Sequence, residues 1–390
     1  SNAGPDFFNA RIRIGAIEWV GSVEIHVNAS SWLQHKHDLD AAYDNVVLHV
    51  VWKNDKPVRR HDTSLLSSIE LKNRIDEKLL LTCNKLVNSR DVIPCSGVLA
   101  TVPDVIKISM LDRTVLQRLQ TKSQTVLDLY ERNQHDWEET CYQLLCRNFG
   151  FKVNAEPFLQ LAQALPYKVL LKHADNLLQL EALLFGQAGF LEESKQDTYY
   201  GLLRREYSLL SHKYHLTEKQ MEKTRWRFLR LRPANFPTIR LAQLAMFIHQ
   251  RKNIFSNILF ITSTKSLKEF FDVTQSEYWC EHYQFFKKLN GTIPGLGDAS
   301  VENILINTAA PILTACSRQK DDPTLIARAV DILQHCLAED NSVTRQWSAL
   351  GIHVTTAFDS QALLGLHQDY CLRKKCLECN IGASFVKSLM

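Results

Sequence analysis

The sequence predicts an α+β protein, with a small β-rich domain carrying a mixed sheet followed by a larger all-helical domain. Three observations carry this. Before residue 53 the chain holds three apolar or alternating runs of strand length. From about residue 104 onward the apolar residues recur at helical spacing almost without interruption. Strand-like and helix-like segments do not alternate, so the order is strands first and helices after. The boundary is placed near Ser123, giving a β-rich domain over 4–122 and a helical domain over 123–390.

The elements follow in order. A-R-I-R-I-G-A-I-E-W-V, from Ala10, reads as a first strand. Gly21-Ser22 is expected to make a tight turn into a second strand, G-S-V-E-I-H-V. N-V-V-L-H-V-V-W is a nearly continuous apolar run, typical of a strand covered on both faces. K-N-D-K-P ends it. Ser67 to Leu71 suits a short strand, and Asp76 to Asn88 a helix. Pro94, Gly97 and Pro103 break the next stretch. Asp104 is placed to cap a long helix running through Tyr130. W-E-E-T-C-Y-Q-L-L-C-R-N-F is amphipathic, with Gly150 to end it. Further helices are expected at P-F-L-Q-L-A-Q-A-L, at L-L-Q-L-E-A-L-L-F-G-Q, and over Thr198–Tyr214, Ile239–Gln250, Ser263–Asp272, Ala299–Thr308, Thr324–Ala338, Ser342–Leu350 and Ser360–Tyr370. Glu181 sits in a very apolar helix and is expected to be paired.

With 390 residues, 45% of them hydrophobic and 23% charged, the composition is that of a folded globular chain. No apolar run approaches the ~18 residues of a membrane span. A net charge of +4 neither demands nor excludes a nucleic-acid partner. The opening Ser1-Asn2-Ala3 reads as a tag-cleavage scar, and no secretory leader pattern follows it. Most of the ten cysteines are scattered singly through amphipathic runs, which points to a reducing cytoplasm.

The densest chemistry lies between Gly21 and Trp52, which holds Glu24, His26, His35, His37, Asp38, Asp40, Asp44 and His49. Side chains at i and i+2 of a strand share a face. Glu24 and His26 are therefore expected together, with Val23, Ile25 and Val27 on the opposite face. His49 sits in the middle of the apolar run and needs a partner. If the two runs pair, that partner is Glu24 or His26. Imidazole and carboxylate together suit a metal ion. Glu24, His26 and His37 are the candidate ligands, and Glu24, His26 and His49 the candidate catalytic groups. The competing reading is a structural hydrogen-bond network of the same histidines.

Two further stretches stand out. R-W-R-F-L-R-L-R-P-A-N-F-P-T-I-R interleaves arginines with aromatic rings. Guanidinium groups grip phosphates and rings stack on bases, which makes Arg230, Arg232 and Arg240 candidate substrate contacts. The competing reading pairs these arginines with acids of the same domain. Y-C-L-R-K-K-C-L-E-C brings Cys371, Cys376 and Cys379 together at C-x4-C-x2-C spacing. Zinc or an iron–sulfur cluster would suit them, with His367 or a distant cysteine as fourth ligand. Lys374 and Lys375 are expected to lower their thiol pKa values. The alternative is a set of reduced thiols in a terminal helix pair.

G-S-V-E-I-H-V, Y-D-N-V-V-L-H-V-V, R-N-F-G-F-K-V-N, E-A-L-L-F-G-Q-A-G-F-L, L-R-L-R-P-A-N-F-P-T-I-R and Y-C-L-R-K-K-C-L-E-C-N-I-G resemble the bacterial domain-of-unknown-function family 2851 over almost the whole chain. That resemblance implies a single-family protein and no particular activity. The first domain is also similar in outline to PD-(D/E)xK nucleases, which carry G-D-x-D/E on one strand and E-x-K on the next around a divalent metal. Glu24 matches the first acid. His49 and Val51 stand where the second acid and the lysine would be, so His26, His49 or Lys53 would have to substitute. Some relatives of that fold carry a C-terminal cysteine cluster as well.

The expected function is metal-dependent, nuclease-like or phosphodiesterase-like processing of nucleic acid, with Mg, Mn or Zn as the ion. The alternative is a non-catalytic protein- or nucleic-acid-binding protein with a structural histidine network. A hydrolase of small phosphate or amide substrates is a third reading.

Overall fold

The computed structural model describes residues 4–193 and 197–387; Ser1-Asn2-Ala3 lies outside them. The chain divides into two compact units. One comprises Ser1–Val98 together with Lys374–Met390, and the other Leu99–Arg373. The architecture is α+β, as expected. Residues 122 and 123 fall inside one unbroken helix, Asp104–Arg132, so the division between units comes earlier than the sequence suggested.

The first unit is built on a four-stranded sheet of order β1-β2-β3-β4, with β1 Phe7–Ile14, β2 Ile17–Asn28, β3 Val46–Lys53 and β4 Ser68–Glu70. β1 and β2 run antiparallel, whereas β2/β3 and β3/β4 are parallel. The turn between β1 and β2 falls at Gly15-Ala16, where Gly15 has φ +66°. Gly21-Ser22, expected to be that turn, lies instead within β2. The reason is steric. A Cβ on Gly21 would collide with the Val47 side chain and come 2.8 Å from Asn45 O. Gly21 is thus the place where the incoming β3 chain meets β2, and Ser22 N donates to Asn45 O at 2.7 Å.

Parallel pairing cannot be made by a tight turn, because the chain must cross back over the sheet. Residues 29–45 make that crossover through a short helix, Ser31–Gln34, and two 3-10 turns, His37–Leu39 and Ala41–Tyr43. Trp32 anchors it. The indole is fully buried and donates to Arg59 O at 3.1 Å. With Ala29, Tyr43, Val46, Val51, Val58 and Leu66 it forms the core of this unit. Asp40 accepts from Ala42 N at 2.9 Å and fixes the second 3-10 turn.

β2 does not bury the face that ordinary patterning suggests. Glu24 is 6% exposed, while Ile25 is 46% and Val27 68% exposed. The polar residues face inward under the crossover, and Ile25 and Val27 face out. The C-terminal helix Asn380–Lys387 packs on Glu77–Val87 in the same unit, where Gly382 lies close against the Cys376 backbone.

The second unit is helical around one large core running from Val115 to Ala362. Most helices match their expected spans. Asp104 begins the long helix behind Pro103 and makes no side-chain cap. Asp136, Asn176, Asp197, Asp322, Asn341 and Thr356 do cap the helices that follow them. The expected Ser360–Tyr370 helix ends in a wider π-helical turn, His367–Cys371, whereas the π-helical turn Leu305–Ala309 carries the helix Asp298–Ile304 on into Ala310–Lys320, a helix that was not expected. Short helices at Tyr167–Leu171 and Ile254–Phe260, and a hairpin pairing His282–Gln284 with Lys287–Lys288, were not expected. Glu181 is paired, accepting from Tyr199 Oη and Ser276 Oγ at 2.6 Å each. Among the described residues no helix is long and apolar enough to cross a membrane.

Gly21→Ala is expected to destabilise the first unit by roughly 1–3 kcal/mol, the usual penalty of overpacking a tight approach. Urea unfolding would read this as a lower midpoint with an unchanged slope.

Candidate metal centre

The parallel pairing of β2 with β3 sets the floor of the site. Glu24 is the register partner of His49, and His26 of Val51. The crossover then returns His35 and His37 over these strands. Among the described residues, one group of three or more histidines, cysteines or acids offers ligand atoms that all lie within 4.8 Å of one another: His26, His35 and His37.

The distances within the cluster decide its chemistry. His26 Nε2 lies 3.1 Å from His35 Nδ1. Glu24 Oε1 lies 3.6 Å from His26 Nε2 and 3.5 Å from His37 Nε2. Four ligands on a tetrahedral zinc ion, with bonds of about 2.0–2.1 Å, stand about 3.3 Å apart. The observed separations straddle that value. They are too long for good hydrogen bonds at Glu24, and His37 Nε2 is buried with no hydrogen-bond partner. A metal ion would satisfy that orphaned nitrogen.

The other oxygen of Glu24 is already committed. Asp6 N donates to Glu24 Oε2 at 3.0 Å, and Ile25 N donates to Asp6 Oδ2 at 2.9 Å. This reciprocal pair leaves Oε1 for the histidines. Burial pushes the Glu24 carboxyl above its ordinary range, against the opposing Asp6 backbone hydrogen bond. A cation beside it would reverse that shift.

His26, His37 and His49 are pushed toward the neutral form. Burial, then the neighbouring His37 and His35, lower the His26 pKa to about 4. Burial, then His26 and His37, lower His49 to about 4. His37 is also lowered, chiefly by burial. Neutral imidazole is the form that ligates metals. His49 is 0% exposed, and its Nε2 lies 2.8 Å from His26 Nδ1. Two proton arrangements fit this chain. If His26 Nδ1 donates to His49, its Nε2 lone pair faces His35 and is open to a metal; the opposite arrangement makes a metal-free network. A ligating histidine is oriented through its other ring nitrogen in this way. Ring packing fixes the rest, with Tyr43 stacked on His37 at 3.8 Å and Trp32 against His37 and His49 at 5.3 Å. His35 is the exposed member and the route to solvent.

The structure thus gathers Glu24, His26, His37 and His49, and adds His35 and Asp6. His35 could have been named as a ligand from its i, i+2 relation to His37. Asp6 carried no sequence signal. Val51 is fully buried in the core, and Lys53 at the end of the same strand is exposed.

The other sequence-singled residues fare differently. Arg230 and Arg232 are exposed, and Arg230 has φ +62°. Arg240 is buried and hydrogen-bonds Gln243, Asn235 and Ser300. It has no acid partner among the described residues, so the competing reading of acid pairing does not describe Arg240. Cys376 and Cys379 belong to the first unit and Cys371, with His367, to the second. Among the described residues the cysteines form no group at ligating separation. Burial and the neighbouring Cys379 raise the Cys376 thiol, outweighing Lys374. Burial, with Cys379 and Cys376 nearby, raises Cys95 to about 12. The expected lowering of thiol pKa by the two lysines does not prevail at Cys376.

The fold is that of an α+β protein with a mixed sheet, a long crossover and an inward-facing Glu/His cluster. The chain belongs to the family described as protein of unknown function DUF2851, whose model matches residues 1–342. No curated protein and no solved structure matches it.

His49→Leu is expected to keep the fold yet weaken zinc binding about 10–100-fold, the usual effect of losing a partner that orients a ligand. Competition titration against a chromophoric chelator would measure it. Trp32→Ala is expected to cost about 3–5 kcal/mol of stability, which chemical denaturation would show.

Proposed function

We propose that this protein is a metal-dependent hydrolase of the nuclease or phosphodiesterase kind, acting from the Glu24/His26/His35/His37 cluster. The observation that carries the reading is the gathering of His26, His35 and His37 within 4.8 Å, with Glu24 Oε1 3.5–3.6 Å from His37 and His26 and an orphaned, buried His37 Nε2. Imidazole-rich surroundings favour zinc, or another transition ion, over magnesium, which prefers oxygen ligands. Imidazole ligates as the neutral base, so three imidazole ligands and one carboxylate would offer a divalent cation a net charge of minus one.

When bound, such an ion lowers the pKa of a coordinated water and polarises a phosphoryl oxygen. The residues of the chain do the remainder. Glu24 Oε1 helps hold the ion while Asp6 fixes Oε2. His49 holds the His26 ring through Nδ1. Exposed His35 borders the solvent side, where a substrate would arrive. Exposed Arg230 and Arg232 are groups of the kind that contact a nucleic-acid backbone.

The test is hydrolysis of single- and double-stranded DNA, RNA and an aryl phosphodiester by protein loaded with zinc or manganese. Cleavage is expected to need the ion and to fall at least about 100-fold in Glu24→Gln and His26→Ala, in line with losing metal affinity or activity at such sites. Stoichiometric metal with no hydrolysis of any substrate would end the enzyme reading and leave a metal-binding protein. Unchanged folding and unchanged metal content in both variants would remove the site itself.

A further inference from the structure

The helical unit holds a second, unrelated feature. Arg240 is 5% exposed and lies in the first turn of the helix Pro237–Gln250. Its Nη1 donates to Gln243 Oε1 at 2.8 Å. Its Nη2 donates to Asn235 Oδ1 at 2.6 Å and Ser300 Oγ at 3.1 Å. All three acceptors are neutral. Its Nε is buried and has no hydrogen-bond partner. The guanidinium stacks over Phe151 at 4.5 Å. Among the described residues no carboxylate pairs with it.

A buried charge is normally paired, because withdrawing it from water is unfavourable. Here nothing of opposite sign offsets it. The start of its own helix adds positive potential. Burial lowers the Arg240 pKa only to about 10, so the group stays charged near neutrality. Arginine's fixed fork of donors is the usual device for holding carboxylate or phosphate oxygens.

Arg240 also lines a cavity of about 280 Å³, whose walls include Phe151, Val153, Asn154, Leu231, Ser300 and Asn303. The cavity combines one cation, several neutral donors and a small apolar wall. Its size is near the lower limit of small-molecule sites, which excludes a bulky ligand.

We propose that this cavity binds a compact organic oxyanion, with Arg240 holding its carboxylate or phosphate group and Phe151, Val153 and Leu231 packing its apolar part. The acid that Arg240 lacks within the protein is supplied by the ligand. This site is independent of the histidine cluster, and its proposal stands whether or not that cluster binds metal.

The test uses the full chain, with inorganic phosphate and acetate as probes at constant ionic strength, read by thermal shift and calorimetry. Saturable stabilisation by phosphate or by acetate is expected, and which of the two acts assigns the class of oxyanion. Arg240→Met is expected to abolish it. Asn303→Asp places a fixed carboxylate in the cavity, and is expected to weaken probe binding at least tenfold while leaving the thermal midpoint equal or higher. If Arg240→Met fails to fold, Asn303→Asp carries the test. Absence of saturable stabilisation by either anion at tens of millimolar, or equal affinity in Asn303→Asp, would overturn the proposal.

Discussion

The first unit depends on one constraint: β2 and β3 are neighbours and run parallel. A parallel neighbour cannot follow through a tight turn, so residues 29–45 must travel back across the sheet. That excursion carries His35 and His37 over Glu24, His26 and His49. Gly21 permits the close approach at one end, and Trp32 pins the crossover in the middle. The Glu/His cluster is therefore a direct consequence of strand order, its members from Glu24 to His49 falling within a span of 26 residues.

The same constraint explains an inverted pattern of burial. The crossover covers the face of β2 that bears Glu24 and His26, so the charged face is inside and Ile25 and Val27 are outside. Burial then acts on the ionisable groups in the expected directions. The carboxyl is pushed up and the imidazoles are pushed down. The Arg240 cavity shows the complementary case in the helical unit, a buried cation whose surroundings are entirely neutral acceptors.

Much of this could be read from residue order, and the failures have physical causes. Period-two spacing put Glu24 and His26 on one face, and the apolar run around His49 marked β3 as internal. Helix starts behind Asp136, Asp197 and Asn341 agree with the expected spans, whereas the helix behind Thr356 begins at Ala357, three residues before the expected Ser360. One reading failed locally. Gly21-Ser22 looks like a turn, yet its glycine serves a contact with Val47 that only the three-dimensional pairing reveals. Alternation fixed which residues of β2 share a face without saying which face is covered. The C-x4-C-x2-C spacing brought its thiols into two different units, since local spacing says nothing of where a chain leaves one unit for another. The hairpin at His282–Lys288 was invisible because its strands are only three and two residues long.

The histidine cluster is the proposed place of a metal ion. X-ray absorption at the zinc edge of the zinc-loaded full chain tests it most directly. The account predicts a first shell of nitrogen and oxygen alone, at about 2.0–2.1 Å, with the outer-shell scattering of several imidazoles. A sulfur shell near about 2.3 Å would place the metal at the cysteines and contradict it, as would failure of the protein to retain zinc at all.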